Sequence, residues 1–125
     1  MYYDYDYFYY RFRTIFLYSF FEQKLTEIIK SKKLIIDKII SGGAEGIDSL
    51  AERYAKVYNI KFNKNDYLPQ WDIYGNSAGI IRNKKLMNDA DLNIIFWNGI
   101  SPGTKYNIDY CMKNRKKHYL ILVVN

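Results

Sequence analysis

What most constrains this chain is an apolar run that stops abruptly at glycine. Leu34-Ile35-Ile36-Asp37-Lys38-Ile39-Ile40 is rich in β-branched side chains, which favour extended backbone, and it ends at Ser41-Gly42-Gly43. From about Gly46 to Tyr58 the apolar residues Ile47, Leu50, Ala51, Tyr54, Ala55 and Tyr58 recur at three and four positions, the period of a helix with one buried face. Asp48, near the start of that helix, suits the positive end of its dipole. A strand, a glycine loop and a helix in this order are the first half of a parallel crossover unit.

The alternation holds along the chain. Phe20, Phe21, Leu25, Ile28 and Ile29 predict a helix over Tyr18–Lys30, with Glu22, Lys24 and Glu27 on its other face. Ile60-Lys61-Phe62 reads as a short edge or intermediate strand, and the irregular segment with Pro69, Trp71 and Gly75 reads as a functional loop. A third helix is expected from Ser77 to Asp89, a strand over Asp91–Trp97, a fourth helix from the Ser101–Thr104 loop to about Lys113, and a last strand over His118–Val124. These elements predict one α/β domain: a Rossmann-like, three-layer arrangement with a mainly parallel sheet flanked by helices. Ligands in such sheets sit beyond the carboxyl ends of the strands, where the loops Ser41–Asp48 and Asn98–Thr104 are expected to meet.

A length of 125 residues fits one core. Residues 1–12 are a tyrosine-rich segment, read as a degenerate first strand or a disordered arm, ahead of a domain over 13–125. Asp4, Asp6, Arg11 and Arg13 interrupt any apolar span before Phe21, so neither a signal peptide nor a transmembrane helix is expected, and the location read from this is intracellular. The single cysteine, Cys111, and single histidine, His118, give no disulfide framework and no metal-ligand spacing; Cys111 is expected to be a buried small hydrophobe. No metal or cofactor is expected. The net charge of +6, with concentrations at Lys30, Lys32, Lys33 and at Lys113, Arg115, Lys116, Lys117, attracts anions without choosing among nucleotide, nucleic acid and counterions. The richness in Asn, Ile, Lys and Tyr suits an AT-rich genome, as in many microbes and large viruses.

Chemistry concentrates in the loops. In Ser41-Gly42-Gly43-Ala44-Glu45-Gly46-Ile47-Asp48, glycines let backbone approach a ligand while a helix start presents unpaired N–H groups, a natural place for phosphate. The spacing is neither the dinucleotide G-x-G-x-x-G nor a P-loop. The alternative is a tight turn without ligand. Gly99-Ile100-Ser101-Pro102-Gly103-Thr104 repeats the pattern, with Thr104 either a phosphate donor or a plain N-cap. Arg82 and Asn83 offer a forked cation and an amide to the same cleft, the alternative for Arg82 being a surface salt bridge. Trp71 and Tyr74 are candidates for stacking on a base, or core aromatics.

Together these residues resemble a known pattern. The Ser41–Asp48 loop, Ala51-Glu52-Arg53-Tyr54-Ala55, Trp71 with Tyr74-Gly75, Ala78-Gly79, Arg82-Asn83, Ala90-Asp91, Phe96-Trp97, and Gly103-Thr104 with Ile108-Asp109 are similar to the YspA/YAcAr-like branch of the SLOG superfamily over about Arg13 to Val124. The superfamily includes LOG-type phosphoribohydrolases, DNA-processing proteins that bind single strands, and presumed sensors of nucleotide-derived signals. The resemblance implies that Arg13 joins the phosphate site, since Arg11-Phe12-Arg13-Thr14 stands where relatives carry Gly-Ser-Arg-Thr. The lost glycine implies a pocket narrowed by Arg11. Asn107 stands where the LOG enzymes carry a catalytic glutamate, and an amide cannot serve as acid or base at neutral pH.

The reading that follows is a module binding a nucleotide or nucleotide-derived ligand. Its phosphate is held by Arg13, Ser41, Gly42, Gly43, Gly46, Asp48, Arg82, Asn83, Gly103 and Thr104, with Trp71 or Tyr74 at the base. The alternative is a nucleotide N-glycosidic hydrolase using Glu45 or Asp48. A third reading is single-stranded nucleic-acid binding by the basic surface and tyrosines. A homo-oligomer is compatible with the family, and no membrane partner is expected.

Overall fold

The computed structural model describes residues 18–42 and 46–123. The tyrosine-rich segment, Arg11 and Arg13, and the loop residues Gly43, Ala44 and Glu45 lie outside the described residues. In chain order the described elements are helix α1 (residues 18–31), strand β1 (Lys38–Ile40), helix α2 (Ile47–Val57), strand β2 (Lys61–Asn63), a short helix α3 (Trp71–Tyr74), helix α4 (Ala78–Asp89), strand β3 (Asn93–Trp97), helix α5 (Pro102–Lys113) and strand β4 (His118–Leu122). Single 3-10 turns at Asn65–Tyr67 and Gly75–Ser77 flank α3.

The fold is mixed α/β with parallel strands. β1 pairs with β2 in the register Lys38 with Lys61, Ile39 with Phe62 and Ile40 with Asn63. β3 pairs with β4 from Asn93 with His118 to Trp97 with Leu122. Parallel strands cannot be joined by a hairpin, and α2 and α5 supply the two crossovers. Among the described residues the strands form two two-stranded sheets.

One core serves both pairs. Tyr18, Phe21 and Leu25 of α1 and Leu50 and Tyr54 of α2 cluster with Phe96 of β3, and Ile39, Ile94 and Ile121 from three different strands pack against them. Phe21 stacks on Phe96 at 4.8 Å between centroids and meets Tyr54 edge-on at 6.0 Å. Each such ring pair adds about 0.5–1.5 kcal/mol beyond its buried area. Because side chains alternate along a strand, Ile95 and Trp97 take the other face of β3. Between α4 and α5 lies a second buried contact, where Cys111, fully buried, places its Sγ 3.6 Å from the Met87 Sδ. Burial pushes the Cys111 thiol up, against a smaller opposing pull from Lys116, so it is a packing group rather than a thiolate. Burial and the hydrogen bond to Glu22 likewise push Tyr18 up to about 12.

Three turns at the amino ends of strands share one geometry. At the end of α1, Leu34 N–H reaches back to the Ile29 carbonyl and Lys33 N–H to the Lys30 carbonyl. The same pair of bonds recurs from Ile60 and Asn59 after α2, and from Lys116 and Arg115 after α5. This is the Schellman closure, which requires a left-handed residue, and Lys33, Asn59 and Arg115 have φ of 52, 54 and 53°. Asparagine tolerates that region, whereas lysine and arginine are strained there. Lys33→Gly and Arg115→Gly are each expected to raise unfolding free energy by roughly 0.5–1 kcal/mol. Urea unfolding checks this, and a loss of stability in both variants would refute the strain assignment.

The structure corrects two expectations. The first strand begins at Lys38 rather than Leu34, because the Schellman turn occupies Lys33 and Leu34 and the next residues carry the chain to the sheet; Ile35 is 90% exposed. The segment around Trp71 is not an irregular loop but helix α3 between two 3-10 turns, where Ile73 and Tyr74 N–H groups both bond to the Gln70 carbonyl. Among the described residues no helix is long and apolar enough to cross a membrane.

Candidate functional site

The site is built outward from the end of β1. Ser41, buried, extends the strand by one bond, its N–H donating to the Asn63 carbonyl at 3.2 Å. Its hydroxyl donates to the Asp48 carboxylate in the first turn of α2. This bond ties the two ends of the glycine loop, so the spacing of seven residues between Ser41 and Asp48 is a closed structural unit. Gly46 is the N-cap of α2 with φ of 81°. That backbone costs about 1–2 kcal/mol for a residue with a Cβ, which is the reason for glycine here. Lacking a side chain, Gly46 cannot cap the helix, and the donors of its first turn are left to other partners.

Arg82, on α4 and 40 residues from Gly42 in sequence, reaches this loop. Its Nη1 donates to the Gly42 carbonyl at 3.1 Å and its Nε donates to the Asn83 Oδ1 at 2.7 Å. A Cβ at position 42 would stand 2.3 Å from that Nη1, so glycine is required there for the guanidinium to lie against the backbone. Among the described residues Arg82 forms no ion pair with a carboxylate. Among the described residues the partners of Arg82 are thus a carbonyl and an amide rather than a carboxylate, and its guanidinium keeps N–H groups to spare at the carboxyl end of β1.

Beside Arg82 runs a groove of about 480 Å³ whose lining includes Asp66, Gln70, Asp72, Tyr74 and Lys85. Lys85, one turn after Arg82, donates to the Asp66 carbonyl at 2.9 Å and lies over the Tyr67 ring at 5.1 Å. Burial, and then the hydrogen bond to Asp89, push Tyr67 above its ordinary value, so it stays a neutral donor. Lys85 and the two aspartates are groove residues that the sequence does not mark as part of a site. The spacing of Arg82 and Lys85 on one helix face was their only visible signal. A larger recess, of about 720 Å³, lies at the opposite, amino ends of β1 and β2.

The stacking candidates separate. Tyr74 lines the groove with Arg82. Trp71 rests across α4, its ring 3.7 Å from where a Cβ of Gly79 would be, and is 58% exposed.

The second loop is held by its own side chains. Asn98 Oδ1 accepts from both the Ile100 and Ser101 N–H groups at 2.9 Å, and Trp97 Nε1 donates to the Ser101 carbonyl. Those two backbone donors are thus spent. Thr104 is the third residue of α5 rather than its N-cap, which is Ser101, and its hydroxyl donates to the Ser101 hydroxyl at 3.3 Å. A Cβ at Gly103 would meet open space. Among the described residues no hydrogen bond joins Gly103 or Thr104 to Ser41, Gly42 or Arg82. One turn on, the Oδ1 of Asn107 is buried without a hydrogen-bond partner.

The structure thus brings together Ser41, Gly42, Asp48, Arg82, Asn83 and Tyr74, whereas the Thr104 hydroxyl is bonded within its own loop. Arg13, Gly43 and Glu45 lie outside the described residues. Among those that are described, no group of three or more His, Cys, Asp or Glu side chains could hold a metal ion. Comparison of the chain with protein-family models, curated proteins and solved structures finds no match.

Proposed function

We propose that this chain is a SLOG-like, three-layer Rossmann domain that binds a nucleotide or nucleotide-derived ligand through its phosphate at the glycine loop after β1. The observation that carries this reading is Arg82, whose guanidinium is braced by the Gly42 carbonyl and Asn83 yet has no carboxylate partner among the described residues. A forked cation held on the glycine loop that leads into a helix N-terminus is suited to a phosphate oxyanion. Tyr74, in the adjoining groove, offers a ring to a base, and Asp66 and Asp72 offer acceptors to hydroxyl or amino groups.

Binding is favoured over turnover. The described carboxylate of the loop, Asp48, is engaged by the Ser41 hydroxyl, and position 107 carries an amide. The test is a thermal-shift series with AMP, ADP, a cyclic nucleotide, ADP-ribose and inorganic phosphate, followed by analysis of the products. A ligand at about 100 times its Kd stabilises by about 2.7 kcal/mol, a shift of several degrees. At least one nucleotide is expected to give such a shift, and Arg82→Gln is expected to weaken it at least tenfold. Release of free base from a monophosphate would replace this reading with the hydrolase. No shift with any nucleotide would overturn both.

A further inference from the structure

The two basic concentrations of the sequence, around Lys32 and around Lys116, lie far apart in the chain but come to one edge of the fold. Each occupies a turn that leads from a helix into a parallel strand, and such turns gather at the amino ends of the strands. The Lys32 ammonium, from the turn before β1, lies 5.4 Å over the ring of Tyr119 at the start of β4, which joins the two regions physically. Between them Lys38 and Lys61 open β1 and β2 as a register pair. Paired residues on neighbouring strands project to the same face about 4.8 Å apart at the backbone, so two like charges stand side by side.

None of these cations has a carboxylate partner among the described residues, whereas Lys24, Lys64 and Lys105 elsewhere do. Lys33 and Arg115 moreover hold the strained left-handed positions of their turns, where glycine would sit more easily. The acids near this edge are Asp37, Asp91, Asp89 at the end of α4, and Glu22, whose charge reaches Tyr58; they are outnumbered by Lys30, Lys32, Lys33, Lys38, Lys61, Lys113, Arg115, Lys116 and Lys117. The recess of about 720 Å³ opens here, lined by Lys38, Lys61, Asp37, Asn59 and Tyr58. The Tyr58 ring packs on Tyr54 at 4.4 Å between centroids while the residue stays 45% exposed, so part of it is open to a ligand.

We propose that this amino-end edge is a binding face for single-stranded nucleic acid, with the phosphodiester backbone following the basic turns and a base entering the recess against Tyr58. Unpaired cations flanking an exposed aromatic ring are what sequence-independent single-strand binding requires. An anionic membrane shares the charge but needs a continuous apolar face, whereas the exposed apolar residues here, Ile35, Val57 and Met112, sit singly at or just beyond the ends of three different helices among the basic turns. The face lies at the opposite ends of β1 and β2 from the glycine loop, so it stands independently of the nucleotide site.

The test is fluorescence anisotropy of a labelled oligothymidylate of roughly 20 nucleotides, titrated with the full chain at several salt concentrations. Saturable binding is expected, with log affinity falling against log salt by about 0.7 for each phosphate contact. Lys38→Gln/Lys61→Gln is expected to weaken binding about tenfold and to flatten the salt slope by about 1.4. Lys33→Gly/Arg115→Gly should act in the same direction while folding at least as well as the parent, which separates lost charge from lost structure. Lys84→Gln/Lys105→Gln removes equal charge elsewhere and should cost less than about twofold. Three results would overturn the proposal: no anisotropy change up to roughly 100 µM chain, equal losses in the Lys84/Lys105 control, or binding to phosphatidylserine–phosphatidylcholine vesicles without binding to the oligonucleotide.

Discussion

Phe21→Ala is expected to lower the unfolding free energy by about 3–5 kcal/mol, enough to consume much of the 5–15 kcal/mol typical of a domain. Phe21 is 3% exposed and is the ring through which α1 grips both halves of the fold, stacked on Phe96 of β3 and edge-on to Tyr54 of α2. Truncation removes its transfer energy and both ring contacts, and it leaves a cavity beneath a helix that cannot follow without pulling Tyr18 and Leu25 away from Leu50 and Tyr54. Urea unfolding with the slope held fixed reads the loss directly. A change below about 1.5 kcal/mol would mean that α1 does not seal the core as described. Phe20, one residue earlier, only packs against the cluster's rim beside the Lys24 ammonium, and its truncation is expected to cost no more than about half as much.

The contrast between Phe20 and Phe21 marks what the sequence makes legible. Periodicity placed both on the apolar face of one helix, since three-and-four spacing resolves a face but not its centre line. It equally well anticipated α2, α4, α5 and the β3 and β4 strands, whose patterns are long enough to be unambiguous. It overran at Leu34–Asp37, because a β-branched run looks the same whether it lies in a sheet or climbs toward one. The Schellman turn that shortens β1 has its left-handed position filled by Lys33, which carries none of the signal a glycine would have carried. The short helix at Trp71 was hidden for the opposite reason: four residues span barely one turn, too few for a period.

For the candidate site, residue type was legible and association was not. Glycines after a strand announced the loop, and Arg82 was suspected of facing it, but its bond to the Gly42 carbonyl depends on how α4 docks, which no local pattern encodes. The Lys38–Lys61 pair is likewise a product of strand register. Lys85 went unnoticed because its aliphatic stem and ammonium are placed over Tyr67 by the 3-10 turn at Asn65–Tyr67, a feature without a sequence signature.

Gly42→Ala is expected to weaken nucleotide binding by about tenfold to a hundredfold, or about 1.4–2.8 kcal/mol, while changing stability by less than about 1 kcal/mol. The new Cβ would overlap the Arg82 Nη1 at 2.3 Å and its Cζ at 2.8 Å, so the guanidinium must leave the loop. The obstacle is the tip of a flexible side chain rather than backbone, which keeps the folding cost small. The entropy gained by restricting the unfolded chain, about 0.4–1 kcal/mol, offsets part of the lost hydrogen bond. A double-mutant cycle isolates the mechanism. If alanine acts only by expelling the guanidinium, then Gly42→Ala added to Arg82→Gln should reduce affinity by no more than about twofold, against tenfold or more in the parent. Calorimetric titration with the nucleotide giving the largest thermal shift supplies all four affinities. Additive losses would show instead that Gly42 itself lies against the ligand, with its bare backbone rather than its neighbour's cation making the contact.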